Sequence, residues 1–285
     1  MNPDQIDRAA AAVVDGWLRD IHFDALPDGA APADLDNGYA VQARFAERLD
    51  TLQAGWKLAC TNVAGQRHVN VGHPLIGRLF ADRVYPAPAT IALRANGMRV
   101  AEAEFCFRIG LGLAPGDAPL ERDEIMAAVD ALYPAVELPD SRFVDFARAG
   151  AAALAADNAC AREFVLGAEV TGRWRDIAFE RYPVAVYRNG ERAVEGTGGD
   201  VLGDPRDALA WFVNECRRRG LPLKSGQLVT TGVVGAPLPI AAGDTVRADF
   251  GMLGEVSVTI ADLPADQPLA ANPDQPVSRG QEPDR

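Results

Sequence analysis

The sequence predicts an α+β protein, in which a helical N-terminal segment (residues 1–54) leads into a β-rich domain (residues 55–262). Apolar residues recur at helical spacing in the first fifty residues, which indicates amphipathic helices. From the stretch "GWKLACT" onward, short apolar runs alternate with Gly, Pro and Asp, as is typical of strands and turns. Residues 263–285 are rich in proline and acidic residues and lack aromatic residues, so we predict a disordered tail.

Two helices are predicted in the N-terminal segment. The first has a clear start signal, with Asn2 as N-cap, Pro3 in the first turn and Gln5 at the capping-box position. Its predicted apolar face consists of Ala10, Val13, Val14, Trp17 and Leu18. After a loop rich in Gly, Pro and Asp, the second helix is indicated by near-helical spacing of Val41, Phe45, Leu49 and Leu52.

The β-rich domain is predicted to contain strands with interspersed helices. Asn189 and Gly190 separate two apolar runs and indicate a type I′ hairpin. A late helix begins with Asp204 and Pro205 and ends at Gly220, and another helix is predicted over residues 121–132. The predicted strands lie near 55–61, 99–110, 134–138, 164–170, 182–188, 191–197, 228–232, 245–250 and 255–260.

Composition narrows the choice of partners. The formal net charge is −12, and an acidic protein repels nucleic acids and anionic membranes, so we predict neither as a partner. The chain contains no run of eighteen apolar residues, and its first residues lack the basic stretch of a signal peptide. The four cysteines are widely spaced without a Cys-x-x-Cys pattern, so we expect reduced thiols and a cytoplasmic protein.

Two glutamates interrupt the apolar stretch "RVAEAEFCFRIG". If this stretch is a strand, Glu102 and Glu104 point to the same face, with Cα atoms roughly 6.5–7 Å apart. The opposite face is apolar and belongs to the core; it carries Ala101, Ala103, Phe105, Phe107 and Ile109. The two carboxylates either share a solvated face with a base such as Arg108 or hold a divalent cation.

A third glutamate favours the cation. Glu137 lies in the short apolar segment "YPAVELPDSRF", bracketed by prolines, and the alternative partner for it is Arg142. Three carboxylates in apolar strand contexts have few ordinary partners. Oxygen ligands of this kind suit Mg²⁺ or Mn²⁺, so the sequence predicts a metal site at Glu102, Glu104 and Glu137.

The order of several motifs resembles the 2-keto-4-pentenoate hydratase family, which also contains 2-oxo-3-hexenedioate (4-oxalocrotonate) decarboxylases and belongs to the fumarylacetoacetate hydrolase superfamily. The resemblance covers roughly residues 5 to 260. It implies a mixed β-sheet roll of the fumarylacetoacetate hydrolase type behind the helical segment, in a homo-oligomer. The motifs are "GWKLACTN", "AEAEFCFRIG", "PAVELPDSRF", "DNACAREFVLG", "GTGGDVLGDPRDALAWFVNECRRRGLPLKSGQLVTTG" and "IAAGDTVRADFGMLGEVSVTI".

The resemblance implies a metal-dependent lyase. Mg²⁺ or Mn²⁺ would be held by the same three glutamates and would chelate the 1-carboxylate and 2-oxo oxygens of a small 2-oxo acid. A chelated 2-oxo acid is an electron sink, so a 2-hydroxydienoate could ketonise and add water in conjugate fashion. Conjugate hydration is the leading prediction. Decarboxylation of a 2-oxo-3-enedioate in the same site is the alternative.

The resemblance also assigns residues around the substrate. Lys57 matches a family lysine that orients substrate or moves a proton, and its neighbour Leu58 is predicted to contact substrate. We expect burial to lower the pKa of Lys57, unless the lysine forms a structural pair with a glutamate. The remaining matches are Asp157 and Asn158, for which an Asx turn is equally compatible, and Thr231 and Gly232, whose backbone would approach the substrate.

The sequence departs from the family pattern at three positions. Leu75, in "GHPLIG", stands where family hydratases carry an acidic residue that handles protons. His73, two positions earlier, could substitute for it as a catalytic group or could be a surface histidine. Cys160 replaces a small residue of the substrate loop and could be a buried filler. These departures leave the three predicted metal ligands unchanged and affect the residues that would transfer protons.

Two further functions remain open at this stage. An acylpyruvate-type C–C hydrolase of the same superfamily would rely on a His–Glu pair that activates water. The chain has only three histidines, His22, His68 and His73, and none lies in a convincing short helix with a nearby Glu. A catalytically silent partner subunit would be expected to lose the metal ligands or Lys57, and this chain keeps all four.

Overall fold

The computed structural model describes residues 1–262, which form a helical N-terminal segment followed by strands with interspersed helices, as predicted; the helices at Val63–His68, Phe146–Ala149 and Ala151–Ala156 were not predicted. The helices are α1 (Pro3–Arg19), α2 (Leu35–Leu49), α3 (Val63–His68), α4 (Arg122–Ala127), α5 (Phe146–Ala149), α6 (Ala151–Ala156) and α7 (Pro205–Arg218). The strands are β1 (Gln53–Ala59), β2 (Leu75–Phe80), β3 (Val84–Pro86), β4 (Ala89–Ala92), β5 (Val100–Ile109), β6 (Val129–Leu138), β7 (Glu163–Leu166), β8 (Pro183–Arg188), β9 (Glu191–Thr197), β10 (Leu228–Val233), β11 (Leu238–Pro239), β12 (Thr245–Asp249) and β13 (Glu255–Ala261).

Local capping signals fix the starts of the longest helices. At α1, the Asn2 side chain accepts a hydrogen bond from the Gln5 amide, and the Gln5 side chain accepts one from the Asn2 amide. At α7, the Asp204 side chain accepts from the Arg206 amide and Pro205 occupies the first turn. These contacts satisfy backbone donors that have no partner inside the helix, so both predicted starts are confirmed.

The strands form two mixed sheets. The larger one has the order β2-β1-β10-β5-β6-β7-β3, and β11 adds to β5. In it, β1 runs parallel to β10 and β3 parallel to β7, whereas the other pairs are antiparallel. The smaller sheet has the order β4-β13-β12-β8-β9. The mixed β-sheet architecture behind an N-terminal helical segment is therefore as predicted.

The main core lies between the two sheets and α7. Phe105 of the larger sheet meets Phe250 and Phe179 edge to face, at ring distances of 5.2 and 5.3 Å. Trp56 of β1 lies 5.8 Å from Phe212 of α7. The odd-numbered face of β5 is buried here, as its alternation predicted. Burial of these aromatic rings supplies much of the hydrophobic stabilisation of the domain.

A second core holds the N-terminal helices against the edge of the larger sheet. Trp17 of α1 packs edge to face on Phe45 of α2 and on Phe80 of β2, with ring centroids 5.4 and 5.8 Å apart. The predicted apolar faces of the two helices are each wrong at one residue, Leu18 for α1 and Leu52 for α2. Leu18 is 64% exposed, and Leu52 is 75% exposed because α2 already ends at Leu49. Because Leu52 lies past the end of the helix, its spacing no longer places it on a buried helical face.

The prediction of a helix over residues 121–132 is wrong in its second half. The helix ends at Ala127, and β6 begins at Val129. The run from Val129 to Leu132 is apolar enough for either structure, and pairing of β6 with β5 and β7 decides for the strand. The predicted strand at 164–170 is likewise shorter and ends at Leu166.

Four strands were missing from the prediction. They are short or lie next to turns, and they comprise β2, β3, β4 and β11. β1 begins at Gln53, two residues before the predicted domain boundary. The predicted disordered tail, residues 263–285, lies outside the described residues. Within residues 1–262, no helix is both long and apolar enough to cross a membrane.

Candidate active site

Three glutamates meet on one face of the larger sheet. Glu102 of β5 lies directly opposite Glu137 of β6 in the strand register. Glu104 follows two residues later on β5, so the strand period of two places it on the same face. On the other side of β5, β10 pairs with Glu104 through Val233, after an irregularity in register that begins at Thr230.

The three side chains converge closely. One carboxylate oxygen from each of Glu102, Glu104 and Glu137 lies within 4.8 Å of the others. Glu104 and Glu137 are fully buried and Glu102 is half-buried, so this is not the solvated strand face that was the alternative. Arg142, the other candidate partner of Glu137, pairs instead with Asp140.

Two carboxylate oxygens of the cluster lack hydrogen-bond partners. Glu104 Oε2 accepts from the Thr230 hydroxyl and from the Gly232 amide, the latter at 2.9 Å. Glu104 Oε1 and Glu137 Oε1 have no partner among the described residues. A buried carboxylate oxygen without a partner is costly, and hard divalent cations take such oxygens as ligands. The residues present therefore fit a divalent cation.

Lys57 is the counter-charge of the cluster. Its Nζ lies 3.1 Å from Glu137 Oε2, and the side chain is 3% exposed. Burial lowers the pKa of Lys57, but the charges of the three glutamates outweigh this and hold the pKa above its usual value. The expected lowering is therefore wrong, and the ammonium group stays charged because several carboxylates surround it.

The carboxylates themselves bind protons more tightly than usual. Burial, opposed by the charge of Lys57 and aided by that of Glu137, raises the pKa of Glu102 to about 7. Burial and the neighbouring carboxylates raise the pKa of Glu104, and burial raises that of Glu137. When its three carboxylates are ionised, the cluster carries more negative charge than the one ammonium group balances, and a divalent cation would neutralise the excess.

A cavity of about 520 Å³ opens beside this cluster. Lys57 and Glu102 form its polar end. Three further residues predicted to contact substrate, Leu58, Leu75 and Cys160, also line it. A concave and mostly apolar pocket with a few convergent polar groups is the usual form of a small-molecule site.

The loop that contributes Cys160 is held in an unusual conformation. Asn158, Ala159 and Cys160 have consecutive positive φ angles of 55°, 49° and 61°. The Asn158 side chain fixes this loop, since it accepts from the Arg78 amide at 2.7 Å and donates to the Arg78 carbonyl at 2.9 Å. Such backbone strain is maintained where the surroundings over-determine it, often next to functional sites.

Other residues that were predicted to contact substrate do not line the cavity. Their side chains instead form hydrogen bonds that hold neighbouring segments in place. Asp157 accepts from the Ser141 hydroxyl and the Arg142 amide, at 2.6 and 2.7 Å, and so anchors a neighbouring loop. Thr231 donates to the Phe105 carbonyl at 3.0 Å. The predicted Asx turn at 157–158 is not what these side chains form, because their oxygens bind residues distant in sequence.

The structure does not bring His73 into the cavity. Its side chain is exposed, and its Nδ1 lies 2.8 Å from the Pro74 carbonyl oxygen. Of the histidines in residues 1–262, only His68 lines the cavity, at the C-terminal end of α3. Its ring lies 5.7 Å from that of Phe146.

Sequence reasoning missed several residues of the site. Thr230 directly precedes Thr231 and Gly232, which were predicted to approach the substrate. Its position on β10, opposite β5, could have suggested a contact with Glu104. The cavity is also lined by His68, Met98 and Phe146. These residues lie in short segments that lack the regular spacing of apolar residues by which a helix or strand is predicted. Only the packing of those segments against one another places them together.

Comparison with known proteins identifies the family of this chain. Residues 53–261 match the family model described as fumarylacetoacetate (FAA) hydrolase C-terminal. The 2-keto-4-pentenoate hydratase of Paraburkholderia xenovorans (strain LB400) is 29% identical over 260 residues, which cover 90% of this chain and 95% of the relative. The 2-keto-4-pentenoate hydratase 1 of Dechloromonas aromatica (strain RCB) is 31% identical over 269 residues, covering 89% and 96%.

A solved structure shares the fold. The 4-oxalocrotonate decarboxylase from Pseudomonas putida G7, complexed with magnesium and adipate, superposes with a TM-score of 0.82 at 23% identity, covering 91% of this chain and 98% of that one. The two sequence relatives named here are hydratases, so the predicted family and the predicted class of enzyme, a lyase, are confirmed. This chain belongs to the fumarylacetoacetate hydrolase family and is similar in sequence to its 2-keto-4-pentenoate hydratases.

Proposed function

We propose that the protein is a divalent-metal-dependent hydratase that adds water to a 2-hydroxydienoate through its 2-oxo form. The observation that carries the proposal is the convergence of Glu102, Glu104 and Glu137 within 4.8 Å, in a cluster whose Glu102 lines a mostly apolar cavity. Relatives of the chain are hydratases, which agrees with this chemistry.

The three glutamates would hold Mg²⁺ or Mn²⁺. The two partnerless oxygens, Glu104 Oε1 and Glu137 Oε1, and the half-buried carboxylate of Glu102 are the available ligands. When bound, the cation supplies a Lewis acid that stabilises negative charge on the 2-oxygen of a 2-oxo acid. The Thr230 hydroxyl and the Gly232 amide donate hydrogen bonds to the Glu104 carboxylate, which holds it in a position to bind the cation.

Lys57 is proposed to orient the substrate head group. Its ammonium group is charged, buried and already held by Glu137, so it presents a fixed positive charge at the polar end of the cavity. A charge held in place before reaction costs no reorganisation when the substrate becomes more anionic. We therefore assign Lys57 an electrostatic and orienting role, and not that of a neutral base.

Proton transfer at the distal carbons is proposed to involve His68. Both His68 and His73 are exposed residues, but His68 lines the cavity and His73 does not. An imidazole can accept a proton on one ring nitrogen and donate one from the other, so it can serve both proton transfers of a hydration. The buried Leu75 and several other apolar residues line the cavity.

Hydration is favoured over the alternatives by the charges in the cavity. Decarboxylation of an enedioate would require a cation for the second carboxylate, and within residues 1–262 no arginine lines the cavity. A C–C hydrolase would use a His–Glu pair, and in residues 1–262 His68 forms no ion pair with a carboxylate. A silent subunit would not need to retain Lys57 beside three glutamates.

Calorimetric titration with oxalate, which mimics a chelating 2-oxo acid, tests this function. We expect oxalate to bind wild type only when Mg²⁺ is present and not to bind Glu104→Gln. Turnover of 2-hydroxypenta-2,4-dienoate and of a matched enedioate would then separate hydration from decarboxylation. Oxalate binding that is unchanged without metal, or absent with every divalent cation, would contradict the proposal and favour the silent subunit.

We further propose that the protein is a cytoplasmic homo-oligomer.

A further inference from the structure

We propose that the natural substrate carries an extended apolar substituent, alkyl or aryl, at the end distant from its carboxylate. This inference rests on the proposed function, because the metal end of the cavity is what fixes the head group of the acid. It concerns the remainder of the cavity, which the chemistry at Glu102 and Lys57 does not use.

The cavity is larger than a short dienoate requires. Its volume is about 520 Å³. An unsubstituted five-carbon dienoate has about eight non-hydrogen atoms, and it fills less than about 240 Å³, since a whole water molecule claims about 30 Å³ of liquid. More than half of the cavity would then remain for a substituent or for water.

Much of the cavity is lined by an apolar wall. Its members belong to one hydrophobic cluster and also line the cavity: Val69, Leu75, Leu154, Ala159 and Cys160, with Met98 and Phe146 packed against them. Water beside such a wall lacks hydrogen-bond partners, so its replacement by an apolar group is favourable. The wall is built from separate segments of the chain, which form one continuous surface only after folding.

The charges in the cavity argue against a carboxylate at this end. Among the described residues that line it, the side chains that can carry positive charge are Lys57 and His68. Lys57 is committed to Glu137 at the polar end. A distal carboxylate would therefore meet at most one histidine beside the apolar wall, and burial of an unpaired carboxylate is costly.

Binding of saturated 2-oxo acids, which cannot be hydrated, tests the proposal by calorimetry with saturating Mg²⁺. The probes are 2-oxopentanoate, 2-oxoheptanoate, 2-oxononanoate and the diacid 2-oxoheptanedioate. Each methylene that enters the apolar wall is expected to tighten binding about fourfold, so 2-oxononanoate should bind on the order of 100-fold more tightly than 2-oxopentanoate. The diacid should bind more weakly than 2-oxoheptanoate. Equal dissociation constants across the monoacids, or tightest binding of the diacid, would overturn the proposal.

A charge-introducing variant tests the position of the distal end. Met98 is partly exposed, so Met98→Arg can be accommodated without burying a charge completely. We expect Met98→Arg to bind 2-oxoheptanedioate at least about tenfold more tightly than wild type and 2-oxononanoate more weakly. The matched control Met98→Leu should keep the wild-type preference. A Met98→Arg variant with the wild-type preference would overturn the placement of the substituent at this wall.

The same titrations separate failure of this inference from failure of the proposed function. If 2-oxopentanoate binds with Mg²⁺ and Glu104→Gln abolishes the binding, the head-group site stands. A lack of chain-length dependence then overturns the apolar-substituent proposal alone. If no 2-oxo acid binds to wild type with any divalent cation, both proposals are overturned.

Discussion

Lys57 and Glu137 form a buried ion pair although their strands are not neighbours. Their Nζ and Oε2 atoms are 3.1 Å apart, and β10 and β5 lie between β1 and β6 in the sheet. Three inter-strand steps of about 4.8 Å separate their backbones, so both side chains must extend towards each other across the sheet face. Glu104 lies on β5, one of the two strands between them, and its carboxylate also interacts electrostatically with Lys57.

Replacement of Lys57 by methionine should destabilise the metal-free protein. Removal of one partner leaves the buried Glu137 carboxylate uncompensated, and we expect a loss of about 3 kcal/mol in the free energy of unfolding at pH 8. Denaturant unfolding with EDTA measures this loss. Mg²⁺ should then stabilise Lys57→Met more than it stabilises wild type, because the cluster has lost its only cation among the described residues. Equal stabilisation of both proteins by Mg²⁺ would contradict a shared site.

Glu104→Gln should abolish metal binding while the fold survives. The substitution removes one of three converging carboxylates and also removes electrostatic repulsion, so the metal-free protein should be as stable as wild type or more stable. Mg²⁺ titration calorimetry and thermal unfolding with and without Mg²⁺ provide the two measurements. The control is Glu191→Gln, an exposed glutamate at the start of β9, which should bind Mg²⁺ normally. A Glu104→Gln variant with wild-type Mg²⁺ affinity would show that the cluster is not the metal site.

Metal binding should weaken as the pH falls below about 7. The pKa of Glu102 is raised to about 7, chiefly by burial, and those of Glu104 and Glu137 are raised as well. Because their folded-state pKa values exceed the unfolded ones, these groups stabilise the metal-free fold at low pH. For Glu102 that stabilisation is lost as the pH rises from about 4.5 through about 7, and for Glu104 and Glu137 it is lost as the pH rises through their own raised pKa values.

Mg²⁺ reverses this trend, because it requires the carboxylates in their charged form and must displace protons. The dissociation constant for Mg²⁺ should rise about tenfold per pH unit below 7 for each proton released. Calorimetry at pH 6, 7 and 8 in buffers of different ionisation enthalpy reports both the affinity and the protons released. A pH-independent affinity without proton release would contradict the raised pKa values.

Gly232→Ala should damage the site through the backbone. Gly232 has φ +102°, and an added Cβ would overlap the Thr61 hydroxyl. Its amide also fixes Glu104, so Mg²⁺ affinity should fall together with stability. The matched control is Gly243→Ala, which has φ +90° but open space around the added Cβ. It should lose only about 1 kcal/mol of stability and bind Mg²⁺ as wild type does.

The free energies of unfolding of the two alanine variants therefore separate steric overlap from backbone strain. A Gly232→Ala protein no less stable than Gly243→Ala would show that Thr61 can move aside without cost. The double variant Gly232→Ala/Thr61→Ala should recover part of the lost stability, because it removes the nearest overlapping atom.

Much of the fold could be predicted because its signals are local. The caps at Asn2 and Asp204 involve residues two or three positions apart, and such contacts form whatever the rest of the chain does. The alternation along β5 likewise placed Glu102 and Glu104 on one face. The helix predicted through residue 132 was wrong because a short apolar run fits a buried strand as well as a helix.

The sequence by itself determined which residues could bind a cation, since the strand period sets the face of each side chain and carboxylates are the ligands that hard cations prefer. Only the tertiary structure decided that Lys57 pairs with Glu137 and that His68, not His73, lines the cavity. It also decided that Met98 and Phe146 join the wall around Leu75. These contacts join segments far apart in the chain, and their positions are set by the packing of sheets and helices against one another, which no local pattern specifies.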